Sequence, residues 1–203
     1  MSVITREIIK SAFTYNQFRK VLDELLEQGK TTGNDHSEEL VNYTKMNAHR
    51  MKRLEKKPEI NEELKHSLQN IDHPQIWLCL VEGWCGDVAQ NLPTINKMAE
   101  ATGLVELKLI LRDENQEIMD RYLTNGNRAI PKLIALDNDS LEELWTWGPR
   151  PADCQQMVLD AKEQGVDKKE FAEKVHHWYA KDNTNSLQKE FLLLVKDGEL
   201  KEA

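Results

Sequence analysis

The segment that most constrains this chain is residues 76–81, Ile-Trp-Leu-Cys-Leu-Val, an unbroken apolar run that begins two residues after Pro74. Its length suits a strand, and the lack of alternation predicts one buried on both faces at the centre of a sheet. The turn Trp84-Cys85-Gly86-Asp87 follows. Val88, Leu92, Ile95 and Ala99 then recur at helical spacing, with Gly103 where such a helix would end. A second strand is predicted over 105–111, then a short helix over 116–123 and a break at Asn125-Gly126-Asn127. Strand, helix, strand, helix in that order predicts an α/β fold. After Pro131, the segments 133–136 and 141–147 flank Asp137-Asn138-Asp139-Ser140, a turn sequence that predicts a hairpin. Helices are expected near 152–164 and 168–181, and Asn185-x-x-Gln188 is read as the cap of a last helix carrying residues 191–195.

The first 70 residues read as helices separated by polar breaks. Thr14-Tyr15-Asn16-Gln17 has the pattern of a capping box, in which a hydroxyl and a side-chain amide satisfy free backbone N–H groups. Phe18, Val21, Leu22, Leu25 and Leu26 then share one face. Ser37 is expected to cap the next helix, which carries Leu40, Tyr43, Met51 and Leu54 and stops at Pro58; another follows Asn61. The expected division is a helical extension over residues 1–72 packed on a domain of residues 73–203.

Acidic residues outnumber Lys and Arg by 35 to 27, a formal charge of −8, which argues against a nucleic-acid partner. The longest apolar runs, 76–81 and 191–195, fall far short of the about 20 residues that cross a bilayer, so no membrane partner is expected. The amino-terminal segment contains Glu7 and no secretory pattern, and three cysteines fit a reducing compartment. A cytoplasmic location is the expectation. The stretch 45–57 has six Lys or Arg opposed only by Glu55, and reads as a solvated helix face or a local docking face.

A strand that passes directly into a helix through Trp-Cys-Gly-Asp puts the Cys85 sulfur at the helix's positive end, where a thiolate is stabilised. The competing reading is a small buried apolar residue. The flanking Trp84, Gly86 and Asp87 favour the exposed one.

These residues resemble the thioredoxin family. That family carries Trp-Cys-Gly-Pro-Cys between its central strand and its active-site helix, and Trp84-Cys85-Gly86-Asp87-Val88 matches it at three of five positions. Pro93 stands at the offset of the family's helix proline, and Arg128-Ala129-Ile130-Pro131 resembles its cis-proline loop. The hairpin and Gly148 supply the remaining landmarks. The resemblance implies a thioredoxin-like three-layer fold with a central mixed sheet, here with an N-terminal helical extension, as in bacterial thioredoxin-like proteins lacking the second cysteine. It also implies Cys85 as the catalytic residue, with Trp84, Gly86, Asp87, Ile130, Pro131 and Gly148 around the substrate.

Three departures limit what carries over. Val88 stands where the resolving cysteine would be, so the usual intramolecular disulfide cannot form. Cys79 stands where thioredoxins bury a proton-accepting acid. Asp87 replaces the middle proline; its charge opposes ionisation of Cys85, while it is expected to cap the helix. Arg150, Arg128 and Arg112 are the cations expected at this end of the sheet, able to pair with a thiolate or with Asp87. Cys79 is read as core and Cys154 as incidental. No metal ligand set and no cofactor is expected. The preferred function is monothiol thiol–disulfide chemistry through Cys85, with protein thiols or disulfides, or small thiols such as glutathione, as partners and an external thiol resolving the adduct. The alternative is a non-catalytic peptide- or protein-binding module on a thioredoxin fold.

Overall fold

The computed structural model describes residues 3–56 and 60–200. A four-stranded sheet lies at its centre in the order β2-β1-β3-β4, formed by β1 (Gln75–Val81), β2 (Val105–Leu111), β3 (Lys132–Asp137) and β4 (Glu143–Trp147). β1 is parallel to β2 and antiparallel to β3, and β3 is antiparallel to β4. The sheet is therefore mixed, and the architecture is α/β and thioredoxin-like. All seven residues of β1 are buried, which explains an apolar run without alternation. The parallel pair needs a crossover, and α5 (Gly86–Glu100) supplies it.

Among the described residues, four helices precede β1: α1 (Arg6–Ser11), α2 (Tyr15–Glu27), α3 (Glu38–Glu55) and α4 (Glu62–Gln69). The capping box forms as expected, with the Thr14 N–H donating to Gln17 Oε1 at 2.8 Å and the Gln17 N–H to Thr14 Oγ1 at 3.3 Å. Ser37 behaves differently from expectation. Its hydroxyl makes no cap bond; its own N–H donates to Asp35 Oδ1 at 2.8 Å. Pro58 lies outside the described residues. Asn61 caps α4 through Oδ1, which accepts from the Leu64 N–H at 2.8 Å.

These helices share one core with the sheet, where Ile4, Ile9, Phe18, Leu22, Met51, Leu64 and Leu68 join the strand residues. Phe13 pairs with Leu109 through two backbone bonds of 2.8 Å and so covers part of the β2 edge, which would otherwise offer a template for another strand.

Beyond β2 come a 3-10 turn (Arg112–Glu114) and α6 (Gln116–Arg121), and after the hairpin α7 (Ala152–Glu163), α8 (Lys168–Asp182) and α9 (Asn185–Leu200). Asp137 Oδ1 closes the hairpin turn by accepting from the Asp139 and Ser140 N–H groups and the Ser140 hydroxyl at 3.0, 2.6 and 2.7 Å. The expected cap of α9 does not form. Asn185 is already helical, and Gln188 instead accepts from the Asn61 N–H at 2.7 Å, tying α9 to α4. Phe191 of α9 packs edge-on to Trp77 and Trp145, with ring centroids 5.5 and 5.7 Å away. Among the described residues no helix is long and apolar enough to cross a membrane.

The helical front also reaches the end of β1. Glu82 is fully buried; its carboxylate accepts from the Thr32 hydroxyl and from the Asp113 N–H, the latter at 3.0 Å. The Gly83 N–H donates to Thr32 Oγ1 at 2.8 Å, and its carbonyl accepts from Asn47 Nδ2 at 2.9 Å. Burial holds the Glu82 carboxyl above the ordinary range. A raised acid binds its proton more tightly folded than unfolded. It therefore favours the fold below the unfolded value of about 4.3, and that contribution is lost as pH rises through the higher folded value. Urea unfolding of Glu82→Gln at pH 4.5 and pH 7 is expected to show the variant gaining on the wild type as pH rises. A difference independent of pH would contradict this reading.

Candidate functional site

Cys85 occupies the N-cap of α5 in extended geometry, held there by its N–H bond to the Glu82 carbonyl at 3.2 Å. Its thiol donates to the Ile130 carbonyl at 3.3 Å. The Ile130–Pro131 peptide is cis, and both side chains are buried, so the loop presents its backbone to the sulfur. Gly148, just past β4, has φ +119°, and a Cβ there would overlap the Pro131 carbonyl oxygen. Only glycine permits this approach. The structure thus brings together Cys85, Ile130, Pro131 and Gly148, which are far apart in sequence.

Trp84 and Gly86 flank the thiol. The Arg112 guanidinium lies 4.7 Å from the centroid of the half-buried Trp84 ring, and the same side chain pairs with Asp113 at 2.7 Å. Arg112 is therefore occupied. Arg128 is too, forming an exposed two-pronged pair with Asp120 at 2.6 and 2.7 Å.

Asp87 does not cap α5 through its side chain. One carboxylate oxygen, Oδ2, accepts from Arg150 Nη2 and, at 3.1 Å, from Arg150 Nε; the other, Oδ1, accepts from the Tyr179 hydroxyl at 2.8 Å. The pair is largely shielded, with side-chain exposures of 17% for Arg150 and 11% for Asp87. Asn91 Nδ2 donates to Tyr179 Oη at 3.0 Å and to the Asp87 carbonyl at 2.8 Å, and Arg150 Nη1 donates to Gln155 Oε1 at 3.2 Å. One carboxylate thus ties the thiol turn to α7 and α8.

Burial pushes the Cys85 thiol up to about 12, and the nearby Asp87 charge adds to the rise. The N–H groups of Asp87 and Val88 and the charge of Arg150 act in the opposite direction without overcoming it. Arg150, one of the three cations expected to pair with a thiolate or with Asp87, bonds to Asp87. Cys79 lies fully buried in β1, and Cys154 is fully buried in α7, its thiol also raised to about 12 by burial first and Asp87 second.

Sequence reasoning missed four residues around this turn. Tyr179 and Asn91 complete the Asp87 cluster, Arg50 of α3 interacts with the Asp87 charge without bonding to it, and Glu82 is a buried acid three residues before Cys85 rather than six. The acid at the end of an apolar strand was a visible signal for Glu82. Tyr179, in α8, carried none.

Comparisons with known proteins agree with this fold. Two solved structures share the fold: a Pseudomonas aeruginosa protein of unknown function, at 20% identity and TM-score 0.63, covering 97% of this chain and 99% of that one, and an HIV epitope-scaffold, at 18% identity and TM-score 0.61, covering 94% and 96%. No curated protein matches the chain. The family model described as thioredoxin matches residues 33–187, a span that takes in α3 and α4 as well as the sheet, and the chain belongs to this thioredoxin-like family.

Proposed function

We propose that this chain is a polypeptide-binding thioredoxin-like protein, holding an extended segment against the cis-Pro131 loop, with Cys85 resting as a protonated thiol at neutral pH. The observation that carries this reading is the thiol's bond to the Ile130 carbonyl together with the engagement of Arg112, Arg128 and Arg150 elsewhere. A fast nucleophilic cysteine needs a paired cation or a base at the sulfur. Arg150 is spent on Asp87, and the buried Glu82 carboxylate bonds to Thr32 and Asp113. The Ile130 N–H donates no hydrogen bond among the described residues, which leaves it to pair with an incoming backbone. Three unpaired thiols suit a reducing compartment such as the cytoplasm.

A second reading is favoured by the position of the sulfur at the start of α5, with the Asp87 and Val88 N–H groups directed at it. In that reading the Cys85 thiolate attacks a disulfide of a protein or of glutathione, forms a mixed disulfide and expels the other sulfur as thiolate. An external thiol then releases Cys85, because Val88 stands in the resolving position. Panning random cysteine-free peptides against wild type and Cys85→Ser, beside an insulin-reduction assay at pH 7, separates the two. The binding reading expects the same peptides enriched on both proteins and reduction near background. Enrichment on neither protein overturns it, and turnover that disappears in Cys85→Ser establishes the second.

A further inference from the structure

Beside the thiol turn, α3, α5 and α8 border an open pocket of about 430 Å³ lined by Met46, His49, Arg50, Arg53, Gln90 and His176, of which Gln90 is buried and Arg50 half-buried. The α3 contributors fall at i, i+3, i+4 and i+7, the spacing of a single helix face. That face brings one imidazole and two guanidinium groups to the same open pocket, with Arg50 half-buried and His49 and Arg53 exposed. The basic stretch of α3 is thus divided between two environments. Glu55, the one acid within it, turns away to Arg19, at 2.8 Å, and to Tyr15, at 2.7 Å.

Among the described residues, neither Arg50 nor Arg53 forms an ion pair with a carboxylate. Asp87 is the acid whose charge reaches Arg50, but Arg150 and Tyr179 take its two oxygens. Arg50 is nonetheless fixed. Nη1 donates to Asn47 Oδ1 at 2.6 Å, and Nη2 lies 3.2 Å from His176 Nε2. Since a guanidinium only donates, Nε2 of His176 is the acceptor, and the ring is neutral with its proton on Nδ1. Burial and the Arg50 charge hold His176 below the usual histidine range, which agrees with that assignment. Two of the five guanidinium donors are used in this positioning, leaving the others for a ligand. A half-buried guanidinium with a like-charged neighbour and no paired acid is electrostatically unfavourable, and a bound anion would relieve it.

We infer that this pocket binds an oxyanion, the phosphate or carboxylate group of a small ligand, with Arg50 and Arg53 as its charged donors. Gly86 adjoins Arg50: a Cβ there would sit 3.8 Å from Arg50 Nη1, so a group held by Arg50 lies near the residue after Cys85. The inference does not depend on what occupies the cis-Pro131 loop. Its test is an NMR titration of the full chain with inorganic phosphate, and separately with glutarate, at constant ionic strength set by sodium chloride. Saturable shifts of the Gly86, Arg50, Arg53 and His176 signals are expected, with half-saturation near millimolar concentration, on the order of 1 mM. Arg50→Gln and Arg53→Gln should each weaken binding by about fivefold or more, as loss of a charge-assisted bond implies. Arg53 is exposed, so its replacement is expected to leave the fold intact and the test survives a disrupted Arg50→Gln. The preferred titrant identifies the group. Shifts that fail to saturate, that chloride reproduces, or that persist unchanged in Arg53→Gln overturn the inference.

Discussion

Replacing Arg150 with leucine is expected to destabilise the protein by about 3–5 kcal/mol, the cost of leaving a buried charge without its partner. For a chain of this size that corresponds to a melting temperature lower by roughly 6–20 °C. The loss falls on Asp87, whose carboxylate would keep only the Tyr179 hydroxyl in a site where both partners are mostly shielded. The double variant Arg150→Leu with Asp87→Asn should recover much of the stability, since it removes the stranded charge along with the guanidinium. Arg128→Ala is the comparison. Its pair with Asp120 uses the same two guanidinium nitrogens, Nε and Nη2, on separate carboxylate oxygens, but with exposures of 47% and 51%, and its loss is expected to cost no more than about 1 kcal/mol. Thermal melts of the four proteins check the ordering, and equal losses for Arg150→Leu and Arg128→Ala would show that Asp87 is not buried as described.

Gly148→Ala is expected to cost about 3 kcal/mol or more, from a backbone conformation that L-residues avoid and from overlap with a neighbouring main chain. Gly126 separates the two contributions. It also has positive φ, at +75°, but no atom within 4 Å of an added Cβ, so Gly126→Ala should show the conformational cost alone, about 1 kcal/mol. The obstacle at Gly148 is the Pro131 carbonyl, which cannot turn aside as a flexible side chain could. Relief requires β4 and the Pro131 loop to separate, and that would also move Ile130 from the Cys85 thiol. Gly148→Ala is therefore the single methyl addition that should alter both stability and thiol environment. Urea unfolding of the two glycine variants gives the comparison; similar losses would mean that the loop yields easily.

The central strands were readable because their signals are local. Residues 105–111 form β2 with the expected limits, and the run at 76–81 is β1 apart from Gln75, a polar first residue whose N–H bonds to the Leu104 carbonyl at 2.7 Å. Ile130, Pro131 and Gly148 were legible beside Cys85 through the resemblance to the thioredoxin family, whose landmarks fall in short motifs at element boundaries. What the sequence concealed depends on contacts between distant segments. Whether Asp87 caps its own helix or pairs with Arg150 is decided by where α7 and α8 pack. Ser37 and Asn185 are good capping residues by type, but Asp35 and Asn61 offered their neighbourhoods better hydrogen bonds. Helix α1 escaped notice because six residues are too few for a periodic pattern; its first turn is instead fixed by the Thr5 side chain, which accepts from the Ile8 N–H at 3.4 Å. The thiol's character was equally hidden, since position at a helix start favours the thiolate while burial and Asp87 oppose it, and only the folded geometry shows which prevails.

The protonation state of Cys85 is the point on which the account turns. Alkylation of Cys85 by iodoacetamide, followed by mass spectrometry from pH 6 to pH 10, reads it directly, because Cys79 and Cys154 are fully buried and react apart from it. With the thiol held near 12, the rate should rise about tenfold for each pH unit across the whole range, without a plateau. A rate that levels off at or below pH 8 would show a readily ionised thiol and contradict the account.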